Sequence, residues 1–322
     1  MAKPVTYRSA ESVSPGHPDK LCDQISDAIL DAYLAQDPQA RVAVETVGGH
    51  GKVFITGEVT AKSHVDIPTI VKRLAGDVEL IEHLVKQSSE IAQGVDTGGA
   101  GDQGIMVGYA TNETPEFLPL ETVLARQLNR YLYEIWPHDG KTQVTLRDGK
   151  IVAVVASFQH ATSVELRARV EEWLKDKKVD ENVAVHINPA GDWEQGGFDA
   201  DAGLTGRKLV VDNYGPSIPI GGGCFSGKDA SKVDRSAAYM ARRVAVDYLK
   251  KYNAHEVYCY LAYAIGVAEP VEATVIVDGK QELVKGYDLT PAGIIKALNL
   301  RKPQFEQTAR YGHFGNGFTW DA

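Results

Sequence analysis

The sequence predicts an α+β fold made of three blocks, each with a short sheet and one or two helices. Three observations carry this. Strand-like and helix-like runs recur in mixed order, which argues against a doubly wound parallel sheet. Asp148-Gly149 separates two apolar runs, a strong hairpin signal, and Gly48-Gly49-His50-Gly51 sits between two others. A chain of 322 residues is also long enough for two or three cores. We place an N-terminal domain at 1–96, a central domain at 97–196 and a C-terminal domain at 197–322.

Residues 18–33 read as a helix, with Pro18 suited to its first position and Leu21, Ile25, Ala28, Ile29 and Ala32 forming the apolar stripe. Residues 41–46 and 52–60 read as strands around the glycine turn. Residues 67–74 and 79–91 carry short helical patterns. Residues 94–104 are too glycine-rich for either element and read as a mobile loop, hence a lid candidate. Residues 117–133 look helical, 143–146 and 151–158 form the hairpin, and 162–175 is an amphipathic helix. Residues 183–187 and 208–211 read as strands. A long helix is expected over 231–252, opened by Ser231-x-x-Asp234 as a capping box, with Val233, Ala237, Met240, Val244 and Tyr248 on its apolar face. Strands at 256–266 and 273–277 and a helix at 291–298 complete the chain. There is no strong internal repeat and no low-complexity linker.

Apolar residues make up 43% and charged residues 24%, as in ordinary soluble domains. A net charge of −9 argues against a nucleic acid or an anionic membrane as partner. Cys22, Cys224 and Cys259 are odd in number and form no CxxC, so neither a disulfide framework nor a thiolate metal site is expected. The first thirteen residues lack an apolar leader core, and no run approaches a membrane span. The cytoplasm is the expected compartment.

Against this acidic background the clustered cations stand out. Residues 221–235 run from three glycines into a predicted helix start that carries Lys228, Lys232, Asp234 and Arg235. Glycines let backbone N–H groups approach a ligand, and a helix N-terminus adds unpaired donors and partial positive charge. Lysines there oppose the macrodipole, and a bound polyanion resolves the conflict. The stretch lacks the Walker spacing, so it is no ordinary P-loop. Magnesium uses one or two carboxylates beside phosphate and water, a role open to Asp19 and Asp234.

The other motifs have two readings each. Gly16-His17-Pro18-Asp19-Lys20 is an anion site or a helix cap. Asp23, Asp27 and Asp31, four apart, read as a solvated face. Gly203-Leu204-Thr205-Gly206-Arg207-Lys208 is a phosphate-binding turn or an exposed basic one. In Asp139-Gly140-Lys141, Lys141 could meet phosphate and Asp139 a ribose or adenine edge, or the three form a surface turn. Glu45 and Glu58, on adjacent strands, hold an amine or cation or lie on a polar face.

Together the motifs resemble the S-adenosylmethionine synthetase family. The matching strings are Glu11-Ser-Val-Ser-Pro-Gly-His17-Pro-Asp19-Lys20, Gly99-Ala-Gly-Asp102-Gln-Gly, Tyr109-Ala-Thr-Asn-Glu113, Gly203-Leu-Thr-Gly-Arg207-Lys208, residues 221–239, Ala264-Ile-Gly-Val-Ala-Glu-Pro270 and Tyr311-Gly-His-Phe-Gly315. They run in family order along almost the whole chain. The resemblance implies a three-domain α+β fold with pseudo-threefold arrangement, homodimers that share active sites across broad sheet faces, and formation of S-adenosylmethionine from ATP and L-methionine. It implies His17, Lys141, Arg207 and Lys228 as catalytic groups. Asp139, Trp193, Asp201, Lys208 and Cys224 join His17, Lys141, Arg207 and Lys228 around ATP. Glu58, Gln93, Asp102, Asp201 and Lys232 lie around methionine. Two Mg²⁺ ions are expected on Asp19 and Asp234, and K⁺ on Glu45.

The chain departs from the family in places. Its lid, residues 94–98, is short, which implies tolerance of bulkier methionine analogues. Asp192 and Trp193 stand where a basic residue and a phenylalanine are usual; Trp193 can still stack on adenine. Cys224 replaces a small residue, either as packing or as a reactive thiol. Short connections favour a dimer over the usual tetramer. A tripolyphosphate hydrolase on the same scaffold and a non-catalytic regulatory subunit are the alternative functions.

Overall fold

The computed structural model describes residues 5–86 and 98–321. Its strands are β1 (Tyr7–Val13), β2 (Arg41–Gly49), β3 (Lys52–Thr60), β4 (Glu79–Val85), β5 (Gly104–Thr111), β6 (Gly140–Arg147), β7 (Lys150–Phe158), β8 (Val179–Ile187), β9 (Gly203–Leu204), β10 (Glu256–Tyr263), β11 (Glu272–Val277) and β12 (Lys280–Leu283). Its helices are α1 (Pro18–Gln36), α2 (Ile67–Ala75), α3 (Leu120–Tyr133), α4 (Ser163–Leu174), α5 (Leu209–Asp212), α6 (Val233–Tyr252), α7 (Pro291–Leu298) and α8 (Thr308–Tyr311), with a 3-10 turn at Gly197–Asp199.

The strands form four-stranded sheets ordered β1-β6-β7-β8, β12-β11-β10-β5 and β4-β3-β2-β9. This is the α+β architecture the sequence predicts, with an interlock it does not announce. Each sheet takes one strand from far along the chain. β1 pairs antiparallel with β6, Tyr7 opposite Arg147. β5 pairs with β10, Thr111 opposite Glu256. The two residues of β9 join β2, Leu204 opposite Val47.

Helix α1 packs on β2, α3 on β1 and β6, and α6 on β5 and β10. Cys22, Ile25, Ile29 and Leu30 of α1 are buried against Val42, Val44, Val53 and Ile55. Each large apolar side chain withdrawn from water contributes roughly 1.5–3 kcal/mol. A separate core gathers Leu128, Leu132, Val144, Val154, Phe158 and Leu166 under the β6–β7 hairpin. The two-residue period of β2 sends Val42, Val44 and Thr46 inward and Glu45 and Val47 outward.

Several elements differ from the sequence expectation. Residues 79–91 read as a helix, but 79–85 form β4, parallel to β3, with Ile81 opposite Phe54, and 87–91 lie outside the described residues. Apolar residues at 80, 81, 84 and 85 fit a helical period, and pairing along the open edge of β3 overrides it. Residues 208–211 read as a strand, yet Leu209–Asp212 make one helical turn, too short for periodicity to identify. The capping box at Ser231 does not form. α6 opens with Lys232 as its cap and no side-chain cap bond, Ser231 N–H donates to Asp229, and Asp234 receives Lys228. Strands β1, β5, β9 and β12 have no counterpart in the sequence expectation, which makes 203–208 a turn.

Candidate active site

The start of α1 is both a helix cap and the centre of a charge cluster. His17 is the N-cap, and its Nδ1 accepts the Asp19 N–H at 3.2 Å. That bond leaves the ring proton on Nε2. Burial first, and Lys208 second, push the imidazole down to about 4. His17 is therefore neutral at physiological pH and presents an N–H donor rather than a charge. The buried Asp19 carboxylate accepts the Leu204 N–H at 2.9 Å and pairs with Arg207 Nε at 3.1 Å and with Lys208 Nζ. Burial alone would raise this carboxyl, but the bonds from Lys208 and Leu204 hold it below its ordinary value. The capping reading of this motif is realised, with His17 itself as the cap.

The depressed His17 value gives a testable pH effect. Between pH 6.5 and about 4 the unfolded chain takes a proton that folded His17 refuses. Stability should therefore fall on acidification, by about 3 kcal/mol relative to His17→Asn, which can still accept the Asp19 amide but cannot titrate. Urea unfolding of both proteins across that range checks this. Parallel profiles would refute it.

The neighbouring turn supplies further groups. Asp139 accepts the Gly197 N–H at 3.0 Å, and burial raises its carboxyl above the ordinary value. Lys141, on β6, is half-exposed and pairs with Glu11 at 2.6 Å. Its charge reaches His17, and those of Asp201 and Lys208 reach Asp139. Trp193 packs on Gly196, and its buried Nε1–H finds no acceptor among the described residues. Asp192 is held by the Ser163 hydroxyl and by Asn188 at 3.1 Å, so it belongs to the α4 connection.

The acids Asp23, Asp27 and Asp31 are not the solvated face the spacing indicated. Asp23 is buried, pairs with Lys20 at 3.1 Å and accepts the Gly206 N–H at 2.8 Å. Asp27 is buried, accepts the Gly227 N–H at 2.8 Å and takes both arms of Arg235. Asp31 accepts the N–H groups of Gln304, Phe305 and Glu306 at 2.9–3.0 Å. These loops lie outside any sheet ladder, so their buried N–H groups need side-chain acceptors. With Asp19, the acids make a ladder on α1 that fixes both cation-bearing loops to one helix.

The second loop carries Lys228, which pairs with Asp234 at 2.8 Å, and Lys232, which pairs with buried Asp229 at 2.6 Å. The helix starts after both lysines, so neither opposes its dipole from inside the first turn. Asp229 escaped the sequence reading; it also accepts the Val42 N–H at 2.8 Å. Cys224 packs over Gly206, where no side chain stands. Burial pushes its thiol up to about 12, so it spaces the two loops and is no nucleophile at neutral pH. Beyond Asp234 opens a cleft of about 850 Å³ bordered by Gly104, Ile105, Pro219, Gly222 and Tyr260. Asp102 lies just before this cleft and accepts the Gln103 N–H at 2.8 Å. Gln93 and residues 94–97 of the expected lid lie outside the described residues.

Glu45 and Glu58 share one face of the β2–β3 ladder, opposite Thr56 and Ala43 respectively. The same face carries Val47, Phe54, Ile81 and Val85, which are 43%, 38%, 45% and 47% exposed. The structure thus gathers His17, Asp19, Asp139, Lys141, Arg207 and Lys208 in one cluster. Lys228 and Asp234 form a second, and Glu45 and Glu58 lie on an open sheet face. No group of three or more potential metal ligands is formed among the described residues. No helix among them is long and apolar enough to cross a membrane.

Comparison with known proteins gives one answer along the chain. Residues 5–95, 97–193 and 195–322 match the N-terminal, central and C-terminal domains of S-adenosylmethionine synthetase. The chain is 43% identical to an S-adenosylmethionine synthase of Staphylococcus epidermidis over 368 aligned positions, covering 95% of this chain and 92% of that protein. It is 42% identical to S-adenosylmethionine synthase 1 of Frankia casuarinae, covering 97% and 95%, and 42% identical to a Clostridium tetani synthase, covering 95% and 93%. An alignment of 368 positions against a chain of 322 residues leaves gaps here, in keeping with short connections. The chain belongs to the S-adenosylmethionine synthetase family.

Proposed function

We propose that this protein is a methionine adenosyltransferase. The neutral sulfur of L-methionine attacks C5′ of ATP, a sulfur–carbon bond forms, and the C5′–O5′ bond breaks with its electron pair leaving on the triphosphate. Water then cleaves the tripolyphosphate to phosphate and diphosphate. The observation that carries the reading is the Asp19 cluster. A buried carboxylate orients Arg207 and Lys208 beside the neutral Nε2–H of His17. Such preorganised donors favour the charge that grows on a departing triphosphate, and no covalent intermediate is needed.

In this reading Lys141 and Lys228 complete the triphosphate cage. Asp139 and Trp193 take the nucleoside, with the unpartnered Trp193 N–H at hand, and Asp201 and Cys224 line the ATP site. Glu58, Gln93, Asp102, Asp201 and Lys232 surround methionine, where carboxylates suit the α-amino group. Asp19 and Asp234 are hard oxygen donors beside phosphate-binding cations, which fits magnesium. Space stays open next to Asp234, since a Cβ on Gly223 would fall 2.1 Å from Oδ1. Bound Mg²⁺ would offset part of the triphosphate charge, and exposed Glu45 would hold K⁺. The open face around Val47 and Phe54 supports a homodimer that completes each site with the partner's cations; a tetramer adds contacts elsewhere. Three free thiols suit the reducing cytoplasm.

The test is incubation of the purified chain with ATP, methionine, Mg²⁺ and K⁺ and detection of the sulfonium product. Phosphate release without sulfonium would select a hydrolase, and neither product a regulatory subunit. The short lid should admit larger substrates. We expect kcat/KM for the S-ethyl analogue within about tenfold of methionine, since one methylene in a tight pocket alone costs 10–200-fold. A steeper preference would count against it.

A further inference from the structure

We propose that Asp27 and Arg235 are positioning residues that set Lys228 toward the triphosphate. The proposal rests on the reading of Lys228 as a triphosphate ligand. Asp27 Oδ1 accepts the N–H of Gly227, the residue before Lys228, at 2.8 Å. Arg235 grips Asp27 with two arms, at 2.7 and 2.8 Å. The arm at 2.7 Å also donates to the Lys228 carbonyl at 3.0 Å. One ion pair therefore holds the main chain on both sides of the Lys228 side chain.

The turn it holds is also tied to β2, by the Val44 N–H on the Gly227 carbonyl at 3.0 Å and the Asp229 N–H on the Val42 carbonyl at 2.9 Å, while the pair grips its other edge. Gly227 has φ +80°, and a Cβ there would fall 1.9 Å from the Val44 carbonyl, so the backbone runs tight against β2. Only an isolated bridge from Ala43 to Lys228 continues the sheet. Arg235 is itself fixed by the Tyr239 hydroxyl at 3.1 Å, the Thr308 hydroxyl at 3.2 Å and the Phe305 ring at 4.3 Å. Both side chains of the pair are fully buried, so neither touches a ligand. Their effect on the site passes through the Lys228 backbone.

A double-mutant cycle read by calorimetric binding of inorganic tripolyphosphate to the full chain separates this from a purely structural pair. Lys228→Ala should weaken binding by about 10–100-fold, the value of a charge-assisted bond. Asp27→Asn, which keeps the acceptor but loses the charge, should weaken it by about tenfold. In the Lys228→Ala background the same change should cost less than about twofold, because no side chain is left to place. Arg235→Lys keeps the charge but loses the fork that reaches the Lys228 carbonyl, and should match Asp27→Asn. It carries the test if Asp27→Asn does not fold. Equal losses in both backgrounds, or unchanged binding by a folded variant, would overturn the proposal while leaving Lys228 a ligand. If Lys228→Ala itself changes nothing, the underlying reading fails and the proposal with it.

Discussion

Asp19→Asn should lower kcat for sulfonium formation by about 10²–10³, the scale of removing a preorganised electrostatic element. The substitution is nearly isosteric, and asparagine can still accept the Leu204 N–H that Asp19 takes at 2.9 Å. What disappears is the charge. Arg207 and Lys208 lose the partner that orients them, and a carboxylate suited to magnesium becomes a neutral amide. Lys208 is mostly buried, so its ammonium then lacks a compensating anion, and the fold loses roughly 2 kcal/mol as well. In the proposed mechanism the cations act on charge that develops as the triphosphate leaves, so kcat should suffer more than KM for ATP. Steady-state kinetics at saturating Mg²⁺, with circular dichroism to confirm folding, decides the matter. A kcat within threefold of wild type would remove Asp19 from the machinery.

Lys20→Met should produce the largest loss of stability. Lys20 is fully buried and sits between Asp23, at 3.1 Å, and Asp212. Its removal leaves two buried carboxylates without the ammonium they share, although the charges of Arg126 and Lys208 still reach Asp212. Breaking such a pair costs about 3–5 kcal/mol, on the order of 10 °C in Tm. The pH dependence identifies the cause. Burial already raises Asp23 to about 6, and the loss of Lys20 raises the Asp23–Asp212 pair further. A carboxyl with a raised folded pKa binds its proton more tightly in the folded chain. The variant should therefore recover stability as pH falls from 8 toward 6, and wild type much less so. Thermal unfolding at both pH values measures this. An equal deficit at both would mean the loss is packing alone.

How much of this was legible in the sequence depends on whether a residue's role was local. The helices α1, α4, α6 and α7 announce themselves through periodicity and, at α1 and α7, an N-terminal proline. The motifs around His17, Arg207 and Lys228 were recognisable as strings. What remained hidden was pairing between distant segments. Residues 79–85 look helical in isolation and become a strand because β3 has an edge to fill. Asp23, Asp27 and Asp31 look solvated because their spacing is that of any polar helix face. Their acceptors serve loops near residues 206, 227 and 305, and no local window contains both partners. The pairings of Asp229 with Lys232 and the Val42 N–H, and of Arg235 with Asp27, are hidden in the same way.

The interlocked sheets bear on how the chain is made. As it leaves the ribosome, β1 has no neighbour until β6 emerges well over a hundred residues later, and β5 waits equally long for β10. Each segment is thus synthesised with an open edge and an apolar face that its own residues cannot cover. The sheet of β1 closes only after β6 has emerged, and the sheet of β5 only when the last third of the chain is out, so ordering lags behind synthesis. Contacts so far apart in sequence also make the search slow, because long loops must close before any pairing rewards them. The newborn protein therefore spends its most aggregation-prone interval waiting for its own C-terminal strands.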